Sequence, residues 1–109
     1  MAASWRRVLP AGAALLALQC CGVAQANEAL ARKSDCFGCH SVANKLVGPA
    51  YQDVAAKYAG QGDAAEQLKN SIRNGSSGKW GEVPMPPHPK LSVRELQKLA
   101  TWVLGLAPK

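Results

Sequence analysis

The chain has 109 residues, 48% of them hydrophobic, and 13 Lys and Arg against 7 Asp and Glu give it a net charge of +6. That length favours a single domain. The basic residues are scattered rather than clustered, which argues against a nucleic-acid-binding protein and suits encounters with acidic proteins instead.

Residues 1–26 read as a secretory signal peptide. Arg6 and Arg7 lie in a start without acids, an apolar run extends from Val8 to Val23 with a break at Pro10, and Ala24-Gln25-Ala26 is a small-x-small cleavage signature. The rival is a retained membrane anchor, but the apolar part after Pro10 is short for a span and contains Gln19. Lipidation at Cys20 or Cys21 is disfavoured because neither follows a small residue. Cleavage after Ala26 leaves residues 27–109 as the mature domain, with 83 residues and a charge of +4 once Arg6 and Arg7 are gone. At that size an apolar core is marginal. A disulfide between Cys36 and Cys39 would add little, because so short a loop removes little unfolded-state entropy. Something besides side chains is expected to complete the core.

No segment reads as a strand, and four read as helices. The first runs from Glu28 to about Asp35, with Asn27 as its N-cap. In "VGPAYQDVAAKYAG", Pro49 marks a helix start and Gly60 its end, with Val54 and Tyr58 on one face. The third spans Asp63 to Asn74: Asp63 caps it, Glu66 follows three residues later, Gly75 closes it, and Ala65, Leu68 and Ile72 form its apolar face. In the last, Ser92 and Glu95 make a capping box and Leu91 can staple onto Leu96. Leu96, Leu99, Ala100 and Val103 recur at helical spacing, widened by Trp102 and Leu106. Between the third and fourth helices, Gly75 to Lys90 is a long segment rich in glycine and proline. A loop of that length in a small domain is usually functional.

The motif with chemistry is "CFGCH", Cys36 to His40. Two thiols two residues apart, with a His directly after the second, fit covalent attachment of a c-type haem. Two thioether bonds would tether the porphyrin edge, and His40 would be held under the iron as an axial ligand. A thioredoxin-like pair needs strands that are not visible, and a zinc site would need His88 as a further ligand. The second axial ligand has two candidates, Met85 and His88. Pro84 and Pro86 restrict the backbone on either side of Met85, so a thioether can be presented at small entropic cost. The alternative for Met85 is gap-filling in the core. His88 is a stronger donor but precedes Pro89, and Met85 is favoured over it.

Beyond these motifs the mature chain resembles the small bacterial class I cytochromes c of the cytochrome c551/c552 type. The likeness covers nearly all of residues 27–109, through "CFGCH", "LVGPAYQDVAAKYAG", "IRNG" with "GKWG", "PMPP" and "LATWVLGL". It implies an all-α fold of four to five short helices around one covalently bound haem c. Cys36 and Cys39 are then the covalent attachment sites, His40 the proximal ligand and Met85 the distal one. The carbonyl of Pro49 would orient His40, and the indole N–H of Trp80 would donate to a haem propionate. The implied function is periplasmic electron transfer, not enzymatic turnover, by a monomer without a stable membrane anchor. Its donors and acceptors would be redox proteins such as a nitrite reductase, a terminal oxidase or a peroxidase. The competing reading is a haem enzyme or gas sensor with a labile sixth ligand. Phe37, Val42 and Val47 are expected near the exposed haem edge, among lysines that include Lys45 and Lys57. Two positions depart from the pattern. His88 stands where relatives often carry Asn, and Ser71 where some carry an Arg near a propionate, with Arg73 pointing elsewhere on the helix.

Overall fold

Four α-helices and one 3-10 turn make up the secondary structure among the described residues. The computed structural model describes residues 17–108, and side chains from residue 25 onward. The helices are α1 (Ala17–Lys33), α2 (Tyr51–Tyr58), α3 (Ala64–Asn74) and α4 (Val93–Leu104), and the 3-10 turn is Cys36–Gly38. An isolated antiparallel pair joins Ser76 to Met85. The start of the expected signal segment, residues 1–16, lies outside the described residues.

The boundaries of α1 differ from expectation. It begins upstream of Asn27, which sits inside the helix rather than capping it, and it ends at Lys33. Residues 17–26 are rich in Ala with Leu and Gln, good helix formers, so the helix continues across the expected cleavage site in the full-length chain. At the other end, Asp35 adopts φ 62, a left-handed conformation that turns the chain into Cys36.

Helix α2 starts without a side-chain cap. Ala50 is its N-cap, and the orphan N–H groups of Tyr51 and Gln52 donate instead to the carbonyls of Ser41 and Val42, at 2.9 and 3.0 Å. The loop after His40 is thereby fixed to the helix that follows. The expected cap of α3 is altered. Asp63 occupies the N-cap position but at φ −103, ψ 14, away from the extended geometry that aims a side chain at the first-turn donors. Its carboxylate accepts from the Gln67 side chain at 2.9 Å, and Glu66 pairs with Lys69.

Helix α4 matches the sequence expectation. Glu95 N–H donates to Ser92 Oγ at 3.1 Å, and Ser92 N–H donates to Glu95 Oε1 at 3.0 Å. Hydrogen bonds from Ser92, first its backbone N–H, hold the Glu95 carboxyl below its usual range. Leu96, Leu99, Ala100, Trp102 and Val103 are buried, and α4 packs against α1, α2 and α3. Ala31, Tyr51, Val54, Tyr58, Ala64 and Leu68 complete the core around it.

Ser92→Ala is expected to lower stability by about 1 kcal/mol, read from chemical denaturation at neutral pH. A carboxyl whose folded pKa is lowered stabilises above its ordinary range and ceases to do so as pH falls through the lowered value. The gap between the variant and wild type should therefore narrow in acid.

Candidate haem site

Cys36 opens the 3-10 turn, and Cys39 ends it by donating its N–H to the Cys36 carbonyl at 3.2 Å. The His40 N–H donates to the same carbonyl at 3.0 Å, which sets the imidazole directly after the turn. Both thiols are free and half-buried. Burial pushes the Cys36 thiol above its ordinary pKa, partly offset by a hydrogen bond with Tyr51.

The His40 ring is held on three sides. Nδ1 lies 2.8 Å from the Pro49 carbonyl oxygen. That oxygen can only accept, so Nδ1 carries the hydrogen and Nε2 presents a free lone pair. Tyr51 stacks against the imidazole at 5.0 Å between centroids, 22° between planes. Gly48 backs onto it so closely that an added Cβ would stand 2.6 Å from Cε1 and 2.9 Å from Nδ1. Gly48 N–H donates to the Cys39 carbonyl at 2.8 Å, tying the glycine to the cysteine turn.

Across the cleft, Met85 is fixed by backbone rather than by proline alone. Its N–H donates to the Ser76 carbonyl at 2.7 Å, and Ser76 N–H returns a bond to the Met85 carbonyl at 3.1 Å. Gly75, at φ 77, permits that approach: a Cβ there would meet the Met85 carbonyl oxygen at 2.6 Å. His40, Met85, Cys39 and Trp80 line one cleft of about 370 Å³. A second, apolar cavity of about 70 Å³ is lined by Cys36, His40, Tyr51, Leu68, Ile72 and Trp102. The two thiols thus face two cavities that share His40.

These residues fit a haem: two thiols on one turn, a lone pair on an oriented imidazole, a thioether lining the same cleft, and a glycine where any side chain would collide with the imidazole. His88 is placed elsewhere. Its N–H donates to the Ile72 carbonyl at 2.9 Å, and its ring lines a separate cleft with Lys33, Asp35 and Glu95, where Nδ1 is buried without a partner. The surface expectation divides. Val47 is exposed at 58% and is joined by Leu46 at 52% and Val83 at 65%, all on the cleft that His40 and Met85 line. Phe37 and Val42 instead turn inward against the core, Phe37 edge-on to Tyr51 at 5.7 Å. Tyr51, Gly48 and the Ser76–Met85 pair were not singled out from sequence. The lone glycine ahead of Pro49 was the available signal for one of them.

An all-helical domain with this arrangement belongs to the class of small proteins that carry a covalently tethered haem. The sequence model of the cytochrome c family matches residues 24–107. Cytochrome c-552 of Nitrosomonas europaea is 46% identical over 106 residues, covering 97% of this chain and 99% of that one. Cytochrome c-551 of Pseudomonas aeruginosa is 51% identical over 78 residues, covering 72% of this chain and 74% of its own. The crystal structure of wild-type Nitrosomonas europaea cytochrome c552 superposes with a TM-score of 0.71 at 49% identity, over 72% of this chain and 98% of that one. The chain therefore belongs to the cytochrome c family, as a class I cytochrome c of the c551/c552 type. It is an electron carrier with a covalently bound haem c, and its partners are redox proteins.

Gly75→Ala places a side chain both at positive φ and against the Met85 carbonyl. A loss of about 1–3 kcal/mol is expected in equilibrium denaturation, larger than for alanine at Gly62, where a Cβ meets nothing within 4 Å.

Proposed function

We propose that the mature protein, residues 27–109, is a monomeric periplasmic one-electron shuttle between respiratory redox partners, with His40 and Met85 as axial ligands and no enzymatic turnover of its own. The observation that carries this reading is that an oriented imidazole and a backbone-fixed thioether line one cleft with Cys39, on the turn that also carries Cys36. Residues 1–26 are the removed signal peptide. No described helix is long and apolar enough to cross a membrane.

Cys36 and Cys39 would hold the porphyrin through thioether bonds, and His40 Nε2 and the Met85 sulfur would be the iron's protein ligands. The bound haem supplies a one-electron exchange between Fe(III) and Fe(II). The protein does the rest. The Pro49 carbonyl, by accepting from Nδ1, fixes the ring orientation and raises the basicity of Nε2. The Ser76–Met85 pair holds the sulfur's backbone in place in either oxidation state, which limits rearrangement on electron exchange. Met rather than a second His favours the reduced form. The Trp80 N–H is the donor for a propionate.

One set of measurements tests this. The exported protein should have the mass of residues 27–109 plus one haem. Its oxidised spectrum should show the Met-to-ferric-iron charge-transfer band, and Met85→Ala should lose that band and lower the reduction potential. A wild-type protein without the band would refute Met85 ligation and favour a haem enzyme or gas sensor.

Docking is assigned to the exposed apolar rim formed by Leu46, Val47 and Val83, flanked by Lys45. Small apolar contacts ringed by charge suit brief encounters, and the lysine steers an acidic partner. Lys45→Glu should slow the bimolecular rate with an acidic redox protein several-fold at low salt and flatten its salt dependence, in stopped-flow electron transfer.

A further inference from the structure

Of the four asparagines in the chain, only Asn74 precedes a glycine. It is the last residue of α3 and is exposed. Gly75 leaves the helix at φ 77, ψ 175. Among the described residues its N–H finds no acceptor, whereas Ala59 after α2 and Gly105 after α4 both donate back into their helices. Asparagine is thermolabile, and most so before glycine, where no Cβ shields the following amide nitrogen. Here that nitrogen is also free of any bond that would hold it. Cyclisation needs Asn74 to leave its helical angles, and helix ends fray.

The place of this pair in the fold gives it a consequence. The Met85 segment is fastened to the end of α3 at two points. Ser76 exchanges two hydrogen bonds with Met85, at 2.7 and 3.1 Å. His88 N–H donates to the carbonyls of Ile72 and Arg73, at 2.9 and 3.2 Å. Residues 72–76 and 85–88 thus form the two sides of a clamp, and Asn74 and Gly75 lie between its fastenings on one side. The spacing has little slack, since a Cβ on Gly75 would meet the Met85 carbonyl oxygen at 2.6 Å and the Pro87 nitrogen at 3.1 Å. An extra backbone atom between Arg73 and Ser76 would put the two fastenings out of step.

We propose that Asn74–Gly75 is a spontaneous modification site, at which conversion to isoaspartate loosens the hold on Met85. The Gly75 amide nitrogen attacks the carboxamide carbon of Asn74. A new C–N bond closes a succinimide ring, the bond to the carboxamide nitrogen breaks, and that nitrogen leaves as ammonia with the Gly75 amide proton. Water then opens the ring. Opening at the side-chain carbonyl gives aspartate. Opening at the main-chain carbonyl gives isoaspartate, in which the chain continues through the former side chain. Nothing is oxidised or reduced. Both products carry a new carboxylate, but only isoaspartate lengthens the main chain, so charge and length can be separated. The effect on the sulfur rests on reading Met85 as an axial ligand; the modification itself does not.

The test ages the haem-loaded protein at mildly alkaline pH and maps each asparagine by peptide mass spectrometry, with fragmentation that distinguishes isoaspartate from aspartate. Asn44, ahead of Lys45, and Asn70, inside α3, are internal references. Asn74 should convert several-fold faster than either. The isoaspartate fraction, isolated by chromatography, is then titrated with imidazole, which competes with the Met85 sulfur for ferric iron, and followed at the Met-to-ferric-iron charge-transfer band. It should bind imidazole several-fold more tightly than unaged protein. Freshly prepared Asn74→Asp, which has the charge without the longer chain, should bind it like wild type. Asn74→Gln should keep its affinity through the same ageing. Conversion of Asn74 no faster than that of Asn44 or Asn70 would overturn the proposal, as would an isoaspartate fraction that binds imidazole like unaged protein. A failure of Met85 ligation would look different, because unaged wild type would itself lack the band while the mapping still reported on Asn74. Asn74 is exposed at a helix end, so its variants should fold.

Discussion

The buried face of α4 is the surface on which every other helix of this domain rests, because α1, α2 and α3 all pack against it. Among the described residues only one large side chain, Leu96, is completely enclosed. Leu68, Ile72, Tyr51 and Trp102 border the smaller cavity beside His40. In a domain this small a core of side chains alone is marginal. The haem is then a structural member of the core as well as its redox centre. Its covalent attachment matters because losing it would uncover the apolar walls that hold the helices together.

Around that space the chain uses main-chain contacts where a larger protein would use side chains. Pro49 orients His40 through a carbonyl, Gly48 ties back to Cys39, and α2 is capped by the carbonyls of Ser41 and Val42. Segment 39–52 is in effect one hydrogen-bonded unit from the second cysteine to the first turn of a helix. Such contacts depend little on side-chain identity, but they require close approach. The glycine beside the imidazole is the place where that requirement becomes a residue requirement.

Much of this was readable in the sequence where the physics is local. The Ser92–Glu95 box, the apolar stripe of α4, and the cysteine and histidine spacing each depend on residues within a few positions of one another. Non-local features were not readable. Nothing in "VPMPPHPK" indicates that Met85 pairs with Ser76, nine residues earlier, and the prolines alone suggested a stiff arm where the structure has a hydrogen-bonded closure. Phe37 was expected near the exposed haem edge, and in the structure Arg32 covers its ring at 4.2 Å while Tyr51 and Trp102 pack around it. Asn27 failed as a cap because the chain ahead of it is also helical, and Asp63 because its backbone is not extended.

The Ser76–Met85 closure has a further consequence for how such a domain can diverge. It turns residues 77–84 into a ring whose two ends are fixed to each other, so the backbone of Met85 depends less on the contents of the ring. Lengthening a closed loop is cheap, about 0.6 kcal/mol for each doubling. Insertions, deletions and changes of charge within residues 77–84 can therefore accumulate while Met85 stays where it is. That ring also forms much of the cleft rim, including Lys79, Trp80 and Val83. Val83, one of the exposed apolar residues on the cleft rim, thus lies in a part of the molecule whose sequence can change without moving the backbone of Met85.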